Sequence, residues 1–261
     1  MDTSGKKFTR AIRENFDASA EHYEEFEKEY HFFENLAMKQ CELMDIGRVR
    51  RVLDVGCGTG ISTDSISKIF GVNCSYYGID ISEKMLDIAK KRFLKEDNFI
   101  FVHGDAENLK DYFLETFDAI FYTASIFLIP NFKKSLNGAF NLIKEGKKVS
   151  ISFYTGITDV NGVDLVEKLF PSYKYIYGAY TFEKLLDFLS EKGIKYFLTD
   201  YHFPVDLSCL IKFLSIPAQS NGLFPRHPHE KQKFLIKEFV EDLFSMEEEV
   251  YMKWTFLVAT K

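Results

Sequence analysis

The sequence predicts an α/β fold, an open and mostly parallel sheet with helices on both faces, and three observations carry this reading. First, Val52-Leu53-Asp54-Val55-Gly56-Cys57-Gly58-Thr59-Gly60 is a short apolar run, an acid and then glycines at alternate positions. That order describes a buried strand ending in a turn too tight for side chains. Second, two further apolar runs end in acids, so Asp54, Asp80 and Asp105 follow one another 26 and 25 residues apart. Each interval is long enough for one strand-helix-strand step. Third, helical periodicity fills the intervals. Strands linked in this way bring all three acids to the carboxyl edge of the sheet, where open α/β sheets bind ligands.

Each element has its own justification. Phe33 to Asp45 predicts a helix of about 20 Å that descends beside the sheet to feed the first strand, which leaves everything before it on the ligand edge. Tyr76-Tyr77-Gly78-Ile79-Asp80-Ile81 is the second strand, and Ser82 caps a helix from Glu83 to Phe93. Phe99 to Ala106 is the third strand. Phe117 to Leu128 is a fourth strand running into a loop beside the first, with Asp118 as a structural residue at its far end. Phe132 to Ile143 has helical spacing, Glu145-Gly146-Lys147-Lys148 ends it, and Val149 to Phe153 is the fifth strand. Thr181 caps a helix through Ser190, Gly193 ends it, and Ile194 to Phe203 is the sixth strand. Val250 to Thr260 closes the series as an unbroken strand-like run.

The glycine spacing discriminates between phosphate- and nucleoside-binding turns. A dinucleotide fingerprint wants a glycine one position beyond Gly60, where this chain has Ile61. Gly-x-Gly-x-Gly preceded by Leu-Asp resembles the first motif of class I S-adenosyl-L-methionine (SAM)-dependent methyltransferases. The resemblance implies a Rossmann-like seven-stranded mixed sheet of order 3-2-1-4-5-7-6, with strand 7 antiparallel, helices on both faces and a helical lid. It implies SAM as cofactor and S-adenosyl-L-homocysteine as product. The methionine tail would rest on the bend, which makes Asp54, Gly56, Cys57, Gly58 and Gly60 cofactor-binding candidates. Asp80, with Ile81 beside it, would accept from the ribose hydroxyls. Asp105 would take the adenine amino group, with the Ala106 N–H facing the ring, and backbone carbonyls at Tyr122 and Thr123 would meet the methionine amino group. Glu145-Gly146-Lys147 stands where many relatives have Pro-Gly-Gly, a change of turn that removes no binding group. Neither Asn-Pro-Pro-Tyr nor Asp-Pro-Pro-Tyr occurs, which argues against methylation of bases in nucleic acid.

That topology also places the remaining segments. The sixth strand ends at the ligand edge and an antiparallel seventh starts there, so residues 204–248 lie over the mouth as a lid. Within it Leu235, Ile236, Phe239, Val240, Leu243 and Met246 follow helical spacing and would either cover something apolar or pack on the domain. Near the start, Phe16-Asp17-Ala18-Ser19-Ala20-Glu21-His22-Tyr23 resembles the Phe-Asp-x-x-Ala-x-x-Tyr opening of the methyltransferases of quinone biosynthesis and of malonyl-acyl-carrier thioesters. In such proteins the Tyr lies near the donor methyl. The chain reads as one methyltransferase domain, 1–261: a helical cap at 1–46, a SAM-binding core at 47–155, the second half of the sheet at 156–203, the lid at 204–248 and a final strand at 249–261.

The reaction implied is transfer of a methyl group to a small, partly apolar molecule by in-line displacement. A sulfonium methyl is already electrophilic, so alignment and exclusion of water matter most. A hydroxyl or carbon acid also benefits from a base, for which His202, Tyr23 and His31 are the candidates at the ligand edge. Tyr173, Tyr175, Tyr177 and Tyr180, together with the lid, point to a modest apolar acceptor pocket.

Composition bounds the alternatives. The net charge is −6, and the tightest basic cluster is Arg48, Arg50 and Arg51, so the chain lacks the basic stripe that nucleic-acid readers need. Cys41, Cys57, Cys74 and Cys209 form no Cys-x-x-Cys pair, a usage that fits the cytoplasm. His227 and His229 have no further ligand at metal spacing, so no metal is expected. Ala119 to Ile129, the longest apolar stretch, is shorter than the roughly 20 residues of a membrane span, and residues 1–17 have no apolar core like that of a signal peptide. The 27 phenylalanines are spread along the whole chain as core filling, with a few left for the substrate. The expected partner is a small-molecule methyl acceptor, and the expected state a monomer or homodimer. Two other classes share the sheet, a non-catalytic SAM-binding sensor or partner protein and an NAD-dependent oxidoreductase. Equilibrium binding of SAM and NAD separates them.

Overall fold

The computed structural model describes residues 3–170 and 178–261. Seven strands, β1 (Arg51–Val55), β2 (Ser75–Asp80), β3 (Phe99–His103), β4 (Phe117–Tyr122), β5 (Ile143–Thr158), β6 (Lys195–Val205) and β7 (Val250–Thr260), form one sheet of order β3-β2-β1-β4-β5-β7-β6. The first five run parallel, and β7 is antiparallel to both of its neighbours, as the sequence predicts. β4 is buried along its whole length and β1 from its second residue, which is why apolar residues fill both faces of these strands, apart from the hydrogen-bonded Asp54 and Asp118. β5 is longer than the expected Val149 to Phe153. It starts at Ile143, bulges at Gly156 and continues to Thr158, because β7 offers it a partner as far as Tyr251.

Eleven helices surround the sheet among the described residues: α1 (Thr3–Tyr30), α2 (Phe32–Met44), α3 (Ile61–Phe70), α4 (Glu83–Arg92), α5 (Leu109–Tyr112), α6 (Phe132–Leu142), α7 (Leu165–Leu169), α8 (Gly178–Glu191), α9 (Leu207–Ser215), α10 (Pro217–Leu223) and α11 (His229–Met246). Their starts follow local chemistry. Ser82 accepts from Met85 N at 3.2 Å to begin α4, Asn131 accepts from Lys134 N at 3.1 Å to begin α6, and Asp206 accepts from Cys209 N at 2.7 Å to begin α9. Each such cap contributes about 1 kcal/mol. α1 and α2 meet at His31, in the left-handed region at φ 49°, and the buried Glu27 carboxylate accepts from Phe33 N (2.9 Å) and Glu34 N (2.8 Å) to cap α2.

Packing divides the interior into three apolar bodies. One face of the sheet (Leu53, Ile120, Ile151, Leu257) meets Leu136 of α6 and Leu185 of α8. The opposite face (Val52, Phe121, Val258) meets Ala37 and Met44 of α2 and Ile66 of α3. The third body lies between the cap and the last strands, and joins Tyr23, Phe32, Phe213, Ile236 and Trp254. Asp118 is structural, as expected: its carboxylate accepts from Arg50 N and Arg51 N and pairs with Lys144 Nζ at 2.7 Å. α9, α10 and α11 all fall between β6 and β7, within the segment predicted as lid. Among the described residues no helix is long and apolar enough to cross a membrane.

Candidate functional site

The loop after β1 is tied to β2 by its own backbone, since Gly56 N and Cys57 N both donate to Ile79 O, at 2.8 and 3.2 Å. Gly56 has φ +74°, and a Cβ placed there would lie 2.5 Å from Ser125 Cβ, so only glycine lets the loops after β1 and β4 touch. Gly58 N donates to Asp80 Oδ2 at 2.9 Å and Ser82 N to Asp80 Oδ1 at 2.8 Å, which fixes the carboxylate at the end of β2. Each oxygen keeps capacity for another donor. Burial pushes the Asp80 pKa up, opposed by these two N–H groups. At the end of β3, Asp105 Oδ1 accepts from Glu107 N at 2.9 Å and so starts a short 3₁₀ turn.

Asp54 stands behind this surface. It is fully buried, and its Oδ2 accepts from Ser62 Oγ (2.6 Å) and Thr63 Oγ1 (2.7 Å), which pins the bend to the first turn of α3. Burial pushes its pKa up to about 6.

α1 is clamped over the strand ends. Asp17 Oδ1 accepts from Ser82 Oγ at 2.6 Å, while Arg92 reaches both oxygens of Glu24 (2.7 and 2.9 Å) and donates through Nε to Thr59 O. Along its other side α1 is sewn to α10: Ala218 N donates to Ser19 Oγ (2.9 Å), Gln219 Nε2 to Tyr23 Oη (2.8 Å) and Asn221 Nδ2 to Asn15 Oδ1 (3.0 Å).

These elements enclose a cavity of about 650 Å³, within the range of small-molecule sites. It has two chemically distinct ends. Gly56, Cys57, Gly58, Asp80, Ile81, Asp105, Ala106 and Thr123, all expected from the sequence, line the first. Phe16, Tyr23, Phe127, Phe213 and Trp254 line the second. Asp80 and Asp105 are the only charged groups among the described lining residues, both at the first end. Burial pushes the Tyr23 pKa up to about 12, so its phenol stays protonated through the neutral range.

Several expected residues stand elsewhere. Asp54, Gly60 and Tyr122 do not line the cavity. Gly60 packs against α4, where a Cβ would meet Phe93 at 3.1 Å and Ala89 at 3.2 Å. The buried Tyr122 side chain faces α6, its hydroxyl 2.8 Å from Ser135 Oγ. His202 is also off the cavity. Its neighbours Tyr201 and Phe203 face the cap, with Phe203 5.1 Å from Phe32, and strand alternation therefore turns His202 to the opposite face, where Nδ1 lies 3.4 Å from Thr158 Oγ1. His31, held at the α1–α2 junction, points outward to Glu34 Oε2 at 2.9 Å. Among the described residues no histidine lines the cavity.

Of the two readings open for the apolar face of the lid, the structure shows packing on the domain. Ile236, Val240 and Leu243 of α11 turn into the core, and Phe239 stacks on Phe170, whereas the cavity wall comes from Phe213 to Pro225 in and around α9 and α10. Tyr173, Tyr175 and Tyr177, and the side chain of Tyr180, lie outside the described residues. Lining residues that sequence reasoning misses include Phe8 and Ile12 of α1, Ile129 and Pro130 after β4, and Trp254. Only Trp254 has a readable signal, as the sole tryptophan in a strand with one apolar face.

Residues 52–146 match the family described as Methyltransferase domain. The demethylmenaquinone methyltransferase of Staphylococcus epidermidis is 27% identical over 137 residues, 52% of this chain and 52% of that protein. The chain thus spans about half the length of the curated relatives it matches. Among solved structures, the YcgJ protein from Bacillus subtilis aligns with a TM-score of 0.60 at 18% identity, covering 89% of this chain and 99% of that one. Phosphoethanolamine N-methyltransferase 2 of Haemonchus contortus, solved with phosphomonomethylethanolamine and S-adenosylhomocysteine, aligns with a TM-score of 0.56 at 19% identity, covering 87% of this chain and 52% of that one. Residues 52–146 thus match a methyltransferase domain, and the seven-stranded sheet shares the fold of these solved structures.

Proposed function

We propose, from the match of residues 52–146 to a methyltransferase domain, that this protein transfers a methyl group from SAM to a small, partly apolar molecule. One observation carries the reading: two carboxylates at the ends of successive parallel strands and a glycine-rich bend share one cavity with an uncharged aromatic chamber. The residues present fit the cofactor. A Cβ at Gly58 would meet nothing nearer than Met85 Sδ at 4.0 Å, so the bend leaves an open shelf.

In this reading Gly56, Cys57 and Gly58 support the methionine part, Asp80 holds the ribose hydroxyls with Ile81 beside it, Asp105 and Ala106 hold the adenine, and Thr123 meets the amino group. Asp54, Gly60 and Tyr122 act from behind by holding these loops in place. When bound, SAM supplies an electrophilic methyl on a sulfonium. The chain's task is to aim a nucleophile along the S–CH₃ axis and keep water out, which the aromatic chamber and its roof of α1 and α10 are suited to do. Tyr23 is kept protonated, His202 and His31 stand outside the cavity, and no other base stands at the aromatic end among the described residues, so in this reading the acceptor presents its nucleophile without help from these side chains.

Calorimetry with S-adenosylhomocysteine and with NAD tests the cofactor half, and a labelled-methyl screen of metabolites tests the acceptor half. Binding of S-adenosylhomocysteine without NAD, followed by label transfer, supports the reading. An absence of S-adenosylhomocysteine binding overturns it.

A further inference from the structure

The aromatic chamber contains a polar atom that its apolar function does not account for. Trp254 is 2% exposed, lines the cavity, and its Nε1 is buried with no hydrogen-bond partner among the described residues. An indole N–H can only donate, and buried donors in native proteins are almost always met. The strand places it there for a reason that can be traced. Met252, Trp254 and Phe256 are alternate residues of β7, all fully or nearly buried on the cap side, and Trp254 sits in register between Tyr154 and Tyr201. Phe32 at 5.8 Å and Phe127 at 6.5 Å pack around the ring, so the indole cannot swing away to find water.

A second donor, the Tyr23 phenol, belongs to a residue that lines the same chamber. The Tyr23 oxygen accepts from Gln219 Nε2, which leaves the phenol its own proton to give. No charged group stands at this end among the described lining residues, so the chamber holds neither a counter-charge for an ammonium ion nor one for a phosphate.

We propose that Trp254 selects the methyl acceptor, its Nε1–H donating to a carbonyl or hydroxyl oxygen on an otherwise apolar, uncharged molecule. This rests on the reading of the glycine-bend end as the cofactor's. The indole bond fixes one atom of the acceptor while the surrounding rings hold its apolar body. Together they set which other atom faces the methyl group. A molecule of the same shape without the oxygen leaves the donor unmet, the arrangement that gives polar sites their discrimination.

The chain has a single tryptophan, so ¹⁵N labelling gives one indole Nε1–H resonance that reports the bond directly. Two probes of near-identical shape are used, 2-acetylnaphthalene, which carries a carbonyl oxygen, and 2-ethylnaphthalene, which does not, each with the full chain saturated with S-adenosylhomocysteine. The expected result is a downfield shift of the indole proton with the ketone and not with the hydrocarbon. Trp254→Phe should weaken the ketone about fivefold, the worth of one neutral hydrogen bond, and leave the hydrocarbon and S-adenosylhomocysteine unchanged. An indole resonance that moves with both probes or with neither overturns the proposal, as does an equal loss of both probes in Trp254→Phe. Because S-adenosylhomocysteine binding is read separately, its absence would mark failure of the cofactor reading, not of this one.

Discussion

The two ends of the cavity are built on opposite principles. At the glycine-bend end, polar groups are fixed by backbone: Asp80 is held by Gly58 N and Ser82 N, and the bend is held by Ile79 O. At the aromatic end, side chains from α1, α2, α9 and β7 meet through ring contacts, and α10 closes on α1 through uncharged polar groups. The first end specifies a ligand by directed bonds that a single sheet can preorganise. The second specifies shape, assembled from segments far apart in the chain, and so it is free to differ between proteins that share the first.

Five substitutions test how separable the two ends are. The largest effect is expected for Gly56→Ala, which brings a Cβ to 2.5 Å from Ser125 in a backbone of φ +74°. Stability should fall by about 3 kcal/mol in urea titration, with S-adenosylhomocysteine binding lost as the two loops part.

Asp54 comes next, through pH. Its folded pKa of about 6 lies above its unconstrained 3.8, so the fold takes up its proton more readily than the unfolded chain. The contribution of this one group therefore improves as pH falls from about 6 towards 4 and worsens as pH rises through that window, by up to about 3 kcal/mol. Asp54→Asn should gain stability relative to the parent at pH 7 compared with pH 4.5, and an unchanged difference between the two pH values would contradict the burial argument.

Asp80→Asn is expected to weaken S-adenosylhomocysteine about ten- to a hundredfold by calorimetry, whereas Phe213→Ala, at the other end, should leave that affinity alone. If both variants lose affinity equally, the ends are not independent. The smallest effect belongs to His202→Ala, which should leave turnover with an identified acceptor unaltered from pH 6 to 9, since the side chain faces Thr158 across the sheet from the chamber.

The contrast also explains how much of the molecule is legible in the sequence. Strand ends announce themselves through local chemistry, which is why Asp80, Asp105 and the bend can be read from the residues, whereas the strand order comes only through the family resemblance that the bend carries. Phe16 and Tyr23 are legible through the resemblance of residues 16–23 to the Phe-Asp-x-x-Ala-x-x-Tyr opening of small-molecule methyltransferases. The place of the lid follows from topology, but the pattern leaves open whether the apolar face of α11 covers the site or packs on the domain; it turns into the core while α9 and α10 reach the cavity. Amphipathicity tells that a face is buried, not against what. For His202 the signal is present in the alternation itself: Tyr201, Phe203 and Val205 alternate with Asp200, His202 and Pro204, which assigns the histidine to the other side. The loneliness of the Trp254 nitrogen has no trace in the sequence, because it depends on what packs around the ring.

The seam between α1 and α10 has a bearing on traffic through the molecule. Its three stitches, at Ser19, Tyr23 and Asn15, are polar, and water can replace each at a net cost of only about 1 kcal/mol. If the proposed reaction holds, this seam is the part of the cavity wall whose polar bonds are most readily exchanged for water when product leaves, while the sheet stays intact.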